Sequence, residues 1–191
     1  MFQPEGCILT IQMTAAMRTL FFLAQVFFLQ QAFAQQGYPR PVPNTHHLFY
    51  IQHNANHNTY VYDASFAKPG FLNDAEPVSI YRVVYTEGGV KKELTMAQRA
   101  FAYGIKAKKI AKNIFEFSLV SYPQQKMYLK VSRSGVPYVE TTVNGKKMFL
   151  HRMFLQAKTG STGFGLQPEY IVFYGKDAAK KDVVEKLMPE S

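Results

Sequence analysis

Apolar positions along much of the chain fall in short runs of aromatic and β-branched residues separated by clusters of polar turn formers, the pattern of strands. Leu48-Phe49-Tyr50-Ile51 and Thr59-Tyr60-Val61-Tyr62 are rich in aromatic and β-branched residues. They flank the turn formers Asn54-Ala55-Asn56-His57-Asn58, which predicts a hairpin. Pro69-Gly70 opens a loop that runs to Pro77, and Val78 to Thr86 is a further strand closed by Gly88-Gly89. The period then changes. Thr95-Met96-Ala97-Gln98 fits a capping box, in which the Thr95 hydroxyl accepts the amide of Gln98 and the Gln98 side chain reaches back. Helix formers continue to Tyr103, and Gly104 stands where a left-handed cap belongs. Leu94, Ala97, Phe101 and Ala102 share a face, so a short helix lying on a sheet is predicted.

From Ile105 to Leu155 the pattern is again that of strands. Phe115 to Tyr122 turns at Pro123-Gln124-Gln125 into Met127 to Val131. Ser134-Gly135 leads to Val136 to Val143, and Asn144-Gly145 reverses the chain into Lys146 to Gln156. Asn-Gly is the strongest of these turn signals, because a type I′ turn needs positive φ at both central residues. A Gly/Ser/Thr-rich loop from Thr159 to Gly165 precedes the strand Tyr170 to Tyr174. Asp177 to Leu187 reads as a helix, with Asp177 as N-cap and Val183, Val184 and Leu187 on one side. The fold expected is mainly β (β-rich α+β): an antiparallel meander of about eight or nine strands forming a barrel or sandwich, with one inserted short helix and a C-terminal helix. Antiparallel connections are expected because only the link from Thr86 to Ile105 is long enough for a helical crossover.

Near the start, Met17-Arg18, the apolar run Thr19 to Leu29 and the small-residue site Ala32-Phe33-Ala34 make up a secretory signal, with cleavage between Ala34 and Gln35. The run is shorter than the ~20 apolar residues that span a bilayer, so no transmembrane span is expected after processing. The chain divides into a leader and signal peptide over 1–34, a Pro-rich linker over 35–45 and a single β-rich domain over 46–188. Met1, Met13 and Met17 are alternative starts.

Composition changes this picture in two places. The one cysteine, Cys7, lies in the leader, so the processed domain has no disulfide framework, thiol chemistry or thiolate metal site. A cysteine-free exported domain points to the periplasm or the cell surface of a Gram-negative bacterium. With 22 Lys plus Arg against 13 Asp plus Glu the net charge is +9, while 47% hydrophobic and 18% charged residues exclude a disordered polyelectrolyte. Export takes nucleic acid away as a partner for that charge and leaves envelope anions such as lipopolysaccharide phosphates or acidic glycans.

His47 to Gln52 with Asn56 to Ala64, Pro77 to Arg82, Leu94-Thr95 with Gln98 to Gly104, Phe115 to Tyr122, and Asn144-Gly145-Lys146 leading to Arg152 together resemble an uncharacterised bacterial family, domain of unknown function 4833, over roughly residues 46–187. Arg82 departs from that family, which often has a Tyr-Trp pair there. The resemblance implies a secreted single domain and assigns no catalytic residue.

Candidate chemistry is sparse. His53 and His57, in a cluster with His46 and His47, are candidate metal ligands across the hairpin turn, but no cysteine or adjacent acid completes a set. Exposed turn residues are the simpler reading. Tyr81, Arg82, Tyr103, Lys106, Lys108 and Lys109 form a candidate surface for an anionic ligand, although lysines on edge strands also serve only to prevent sheet-to-sheet pairing. His151, Arg152 and Glu116 are the candidate catalytic residues of an envelope hydrolase acting on glycans or phosphates. Glu116 with Glu140 is the candidate carboxylate pair of a glycosidase. The loop Ser161-Thr162-Gly163-Phe164-Gly165 fits neither a nucleophile elbow nor a phosphate loop. No motif calls for a cofactor. The reading that covers most of these features is an exported, non-catalytic β domain of the cell envelope that binds a ligand or partner through a Tyr-lined, Lys-rimmed surface. The alternatives are the hydrolase and a structural envelope component.

Overall fold

Residues 37–42, 44–161, 163 and 166–189 are described by the structure, a computed structural model of the chain. The hairpin expected around Asn54 to Asn58 forms from β1 (His47–His53) and β2 (Thr59–Ala64), with His57 in the left-handed region at φ 57°. The short strands β3 (Phe66–Lys68) and β4 (Phe71–Leu72) pair with each other alone, and β5 (Val78–Val84) and β6 (Val90–Glu93) follow. After helix α1 (Met96–Phe101) come β7 (Ile105–Ala111), β8 (Ile114–Leu119), β9 (Tyr122–Val131), β10 (Pro137–Val143), β11 (Lys146–Ala157), β12 (Pro168–Lys176) and β13 (Asp182–Leu187). The fold is mainly β. Its main sheet runs β6-β5-β2-β1-β11-β10-β9-β8-β7 and curls into a half-barrel, with β12 and β13 branching from β11.

The junction is β11. Its first residues pair antiparallel with β10 (Val143 with Lys146 through Val139 with Leu150). Its later ones pair parallel with β1 along the same edge (Tyr50 with Arg152 through His53 with Leu155). The opposite edge carries β12, and the register shift between Leu150 and Arg152 leaves His151 at a bulge. The parallel pair corrects the all-antiparallel expectation. A parallel connection needs a long crossover, and here the whole stretch from β2 to β10 serves as one, which inspection of consecutive links does not reveal.

The C-terminal helix is not formed. Asp177 does cap its neighbours, but as a turn: its side chain accepts the Lys181 amide (2.9 Å), its carbonyl accepts the Lys180 amide (3.0 Å), and Lys180 sits at φ 63°. The chain then returns along β12 as β13, with Phe173 opposite Glu185. Val183 and Leu187 pack on the core and Val184 is exposed, a period of two rather than 3.6. Buried Glu185, held by Asn144 (3.0 Å) and Lys146 (2.6 Å), occupies the inward position that made the strand pattern hard to see.

Two local expectations also shift. The β8–β9 turn falls at Val120-Ser121, with Leu119 opposite Tyr122, and Pro123 enters the strand. A proline is tolerated there because β9 meets β10 only from Met127 onward, leaving that edge without a ladder partner. The Thr95–Gln98 capping box forms as expected, yet no residue of α1 is buried and Phe101 is 73% exposed. Gly104 is required for another reason than a left-handed cap: a Cβ there would lie 1.9 Å from the Arg99 carbonyl oxygen. Asn144 (φ 49°) and Gly145 (φ 78°) form the β10–β11 turn with the positive dihedrals expected of Asn-Gly.

Candidate functional site

The concave face carries the core, which includes Phe49 stacked on Tyr62 (centroids 4.4 Å) together with Ile80, Phe117, Leu129 and Phe173. Alternation brings His53 to that face in phase with Phe49 and Ile51, beside Tyr60 and Tyr62 of the paired strand. Tyr103 arrives from the exit of α1. Its carbonyl accepts the Tyr62 hydroxyl (2.7 Å), the Ala102 carbonyl accepts Ser121 Oγ (2.6 Å), and the Gly104 carbonyl accepts the Val120 amide (2.9 Å). Three successive carbonyls are therefore fixed by the sheet, which sets the position of the Tyr103 ring.

That ring stacks on Tyr60 with centroids 3.4 Å apart, and its hydroxyl lies 2.8 Å from Nε2 of His53. Nδ1 of His53 accepts the Ala55 amide (3.3 Å). An accepting nitrogen bears no proton, so the hydrogen-bond network assigns the ring proton to Nε2, which donates to the Tyr103 oxygen. Burial, reinforced by His57, lowers His53 to about 4, and the ring is neutral at neutral pH. Burial raises Tyr103 and Tyr62 well above the ordinary phenol range, with Tyr60 adding to both. These groups offer neutral hydrogen bonds, and neither His53 nor Tyr103 is poised to exchange a proton near pH 7.

Beside the pair lies a pocket of about 150 Å³, walled by Ile51, Leu119, Met153, Leu155 and Ile171, with Phe101, Tyr122 and the exposed Ser121 toward solvent. None of its described lining residues is charged. Its polar side chains are His53, Tyr103, Ser121 and Tyr122.

The candidate ligand-binding residues do not share one site. Tyr103 lines the pocket. Tyr81 lies on the opposite sheet face with Val61 and Val83; Asp63 is beside it and Lys91 sits 3.8 Å over its ring. Burial, then Asp63, pushes Tyr81 to about 12. Burial opposes ionisation of Asp63, but hydrogen bonds from His47 (3.0 Å) and Asn44 (2.9 Å) outweigh it and hold the carboxyl low. Arg82 is in register with Tyr60, and its Nε is buried with no hydrogen-bond partner among the described residues. Lys106, Lys108 and Lys109 are exposed on the edge strand β7, Lys108 opposite Glu116 and Lys109 paired with Asp74 (2.5 Å).

The candidate catalytic residues are likewise apart. Glu116 accepts the Tyr128 hydroxyl (3.2 Å) on β8, and β9 and β10 stand between it and β11, a separation of about 14 Å at the usual strand spacing. Arg152 packs its guanidinium over Tyr174 (4.7 Å), while His151 lies near Lys176 and Asp182. Glu140 is buried and paired with Lys130 and Lys147. Burial favours its neutral form, but those two lysines prevail and keep it ionised. The candidate metal ligands part company as well. His53 turns inward with both ring nitrogens bonded, while His57 packs between Tyr38 (4.8 Å) and Tyr85 (5.5 Å). No group of three or more His, Cys, Asp or Glu suited to a metal occurs among the described residues. The cleavage site at Ala34 and Gln35 lies outside the described residues.

One part of the Pro-rich linker is fastened to the domain: the Pro39 carbonyl accepts both Gln52 Nε2 (3.3 Å) and Thr59 Oγ1, two buried side chains. No helix among the described residues is long and apolar enough to cross a membrane.

A curled β half-barrel with a neutral His–Tyr pair at an apolar pocket is the class that fold and site define. The chain belongs to the family described as "Domain of unknown function (DUF4833)", whose model matches residues 49–186. Comparison with curated proteins and with solved structures finds no match.

Proposed function

We propose that this is an exported, non-catalytic binding domain of the cell envelope, and that its ligand enters the concave pocket beside His53 and Tyr103. The observation that carries the reading is the pocket itself: about 150 Å³ with apolar walls and a fixed polar pair. Ligand sites combine apolar walls with a few placed polar groups, and this one has that composition on a small scale. The separation of Glu116 from His151 and Arg152 favours binding over hydrolysis, because a general acid and base must reach the same substrate bond. The lysines of β7 belong to a different surface, where their role is to keep an exposed strand edge soluble.

The test is a thermal-shift screen of the processed domain against small apolar compounds, repeated with Ser121→Trp, which sets an indole at the solvent side of the pocket. Binding to N alone raises the melting temperature with ligand concentration. Hits that vanish in Ser121→Trp support the reading. Hits that persist there, or an absence of hits, contradict it.

A further inference from the structure

Resting on that reading of the pocket as the binding site, we infer that its ligand is an uncharged molecule, or an uncharged end of one, about the size of a single six-membered ring and carrying one hydroxyl or carbonyl that bonds the Tyr103 hydroxyl. The size follows from the volume. Drug-sized ligands occupy about 300 to 1,000 Å³, whereas a cavity of about 150 Å³ accepts benzene. The absence of net charge follows from the lining. A carboxylate or phosphate moved into an apolar site must find a cation or several donors, and the described lining supplies no Lys or Arg. The net charge of +9 is therefore no guide to what this pocket takes.

The polar group is placed by the relay. The Ala55 amide fixes the His53 tautomer, and His53 donates from Nε2 to the Tyr103 oxygen. Tyr103 then has its own O–H left to give. A hydroxyl that already accepts a hydrogen bond is a better donor, because chained hydrogen bonds polarise one another. Its competitor for that proton is the Tyr60 hydroxyl stacked alongside, an internal partner that keeps the proton satisfied when no ligand is bound. A ligand oxygen that takes the bond leaves Tyr60 free to turn its own hydroxyl toward Tyr103. The site thus discriminates by one neutral hydrogen bond on an apolar background, which corresponds to about a three- to tenfold preference over a ligand lacking the oxygen.

Three ring-sized probes decide it: benzyl alcohol, toluene and benzoate, each titrated at pH 7 into the processed domain and into Tyr103→Phe, followed by thermal shift and calorimetry. The expected order in the wild type is benzyl alcohol first, toluene about three- to tenfold weaker, and benzoate without effect. In Tyr103→Phe the first two become equal. The wild-type ranking alone carries the test if Tyr103→Phe fails to fold. Benzoate binding as well as benzyl alcohol overturns the uncharged assignment, and toluene equal to benzyl alcohol in the wild type overturns the role of Tyr103; both leave the pocket as a binding site. Failure of all three overturns the inference, and the Ser121→Trp screen then separately decides the binding reading.

Discussion

The Tyr103 hydroxyl and Nε2 of His53 meet 2.8 Å apart although fifty residues separate them in the chain. His53 comes from the end of the first strand and Tyr103 from the exit of the only α-helix among the described residues; the contact forms because the Ala102, Tyr103 and Gly104 carbonyls are all held by hydrogen bonds from the sheet and its β8–β9 turn.

Burial of His53, with His57 adding to it, makes stability depend on pH. His53 titrates near 4 in the fold and near 6.5 when unfolded. Between those values the unfolded chain binds the extra proton, so stability is full above about 6.5 and falls as the pH drops toward 4. The shift is equivalent to about 3 kcal/mol. Asp63 and Glu140, held low, add losses at the acid end of the range. Urea titrations at pH 7 and pH 4.5 on wild type and His53→Gln isolate the histidine: the wild type should lose more stability than the variant, and equal losses would remove His53 from the explanation.

Gly104 is irreplaceable on steric grounds. Alanine there would bring its Cβ within 1.9 Å of the Arg99 carbonyl oxygen, which is backbone and cannot rotate aside. Gly104→Ala should cost at least about 2 kcal/mol and loosen Tyr103, measured as a lower urea midpoint together with weaker pocket binding. Gly70→Ala is a useful comparison. Its φ of 76° strains any side chain but nothing lies within 4 Å, so a smaller loss is expected.

Met153, 2% exposed, belongs both to the core and to the pocket wall. Met153→Ala should destabilise the fold by about 2 to 5 kcal/mol and enlarge the pocket. Binding should then shift toward larger apolar compounds, which calorimetry with a graded set of alkylbenzenes would register.

If the leader is a secretion signal, the processed chain begins at Gln35. Intact-mass measurement on protein recovered from the periplasm or medium of an expressing Gram-negative cell should give the chain without residues 1–34. A full-length mass confined to the cytoplasm would contradict export.

The strands were legible through runs of aromatic and β-branched residues bounded by turn formers; a period of two shows in parts of β9, β11 and β12, whereas β1, β2 and β5 are buried on both faces. The hairpin at Asn54 to Asn58 and the Asn144-Gly145 turn show through for a second reason, since both need residues that accept unusual dihedrals. Strand β13 was hidden because its inward position holds Glu185, a charge whose burial depends on Asn144 and Lys146 from a turn some forty residues away. Parallel pairing of β1 with β11 was hidden for a similar reason: no local signal encodes which distant edge a strand closes against. Of the site, the sequence marks Tyr103 as a candidate ligand-binding residue and His53 as a candidate metal ligand. In-phase reading of Phe49, Ile51 and His53 would have turned His53 inward, and the same reading brings in Tyr60. Met153, Leu155 and Ile171 look like any core residues until the curvature of the sheet leaves a space between them.

The most direct measurement is methyl and histidine-ring NMR on the processed domain titrated with benzyl alcohol. Binding in the pocket should confine the shifts to the methyls of Ile51, Met153, Leu155 and Ile171 and to the His53 ring, with that ring neutral and protonated on Nε2 throughout. Shifts centred instead on Tyr81, Lys91 and the β7 lysines, or a His53 ring that titrates near 6.5, would contradict it.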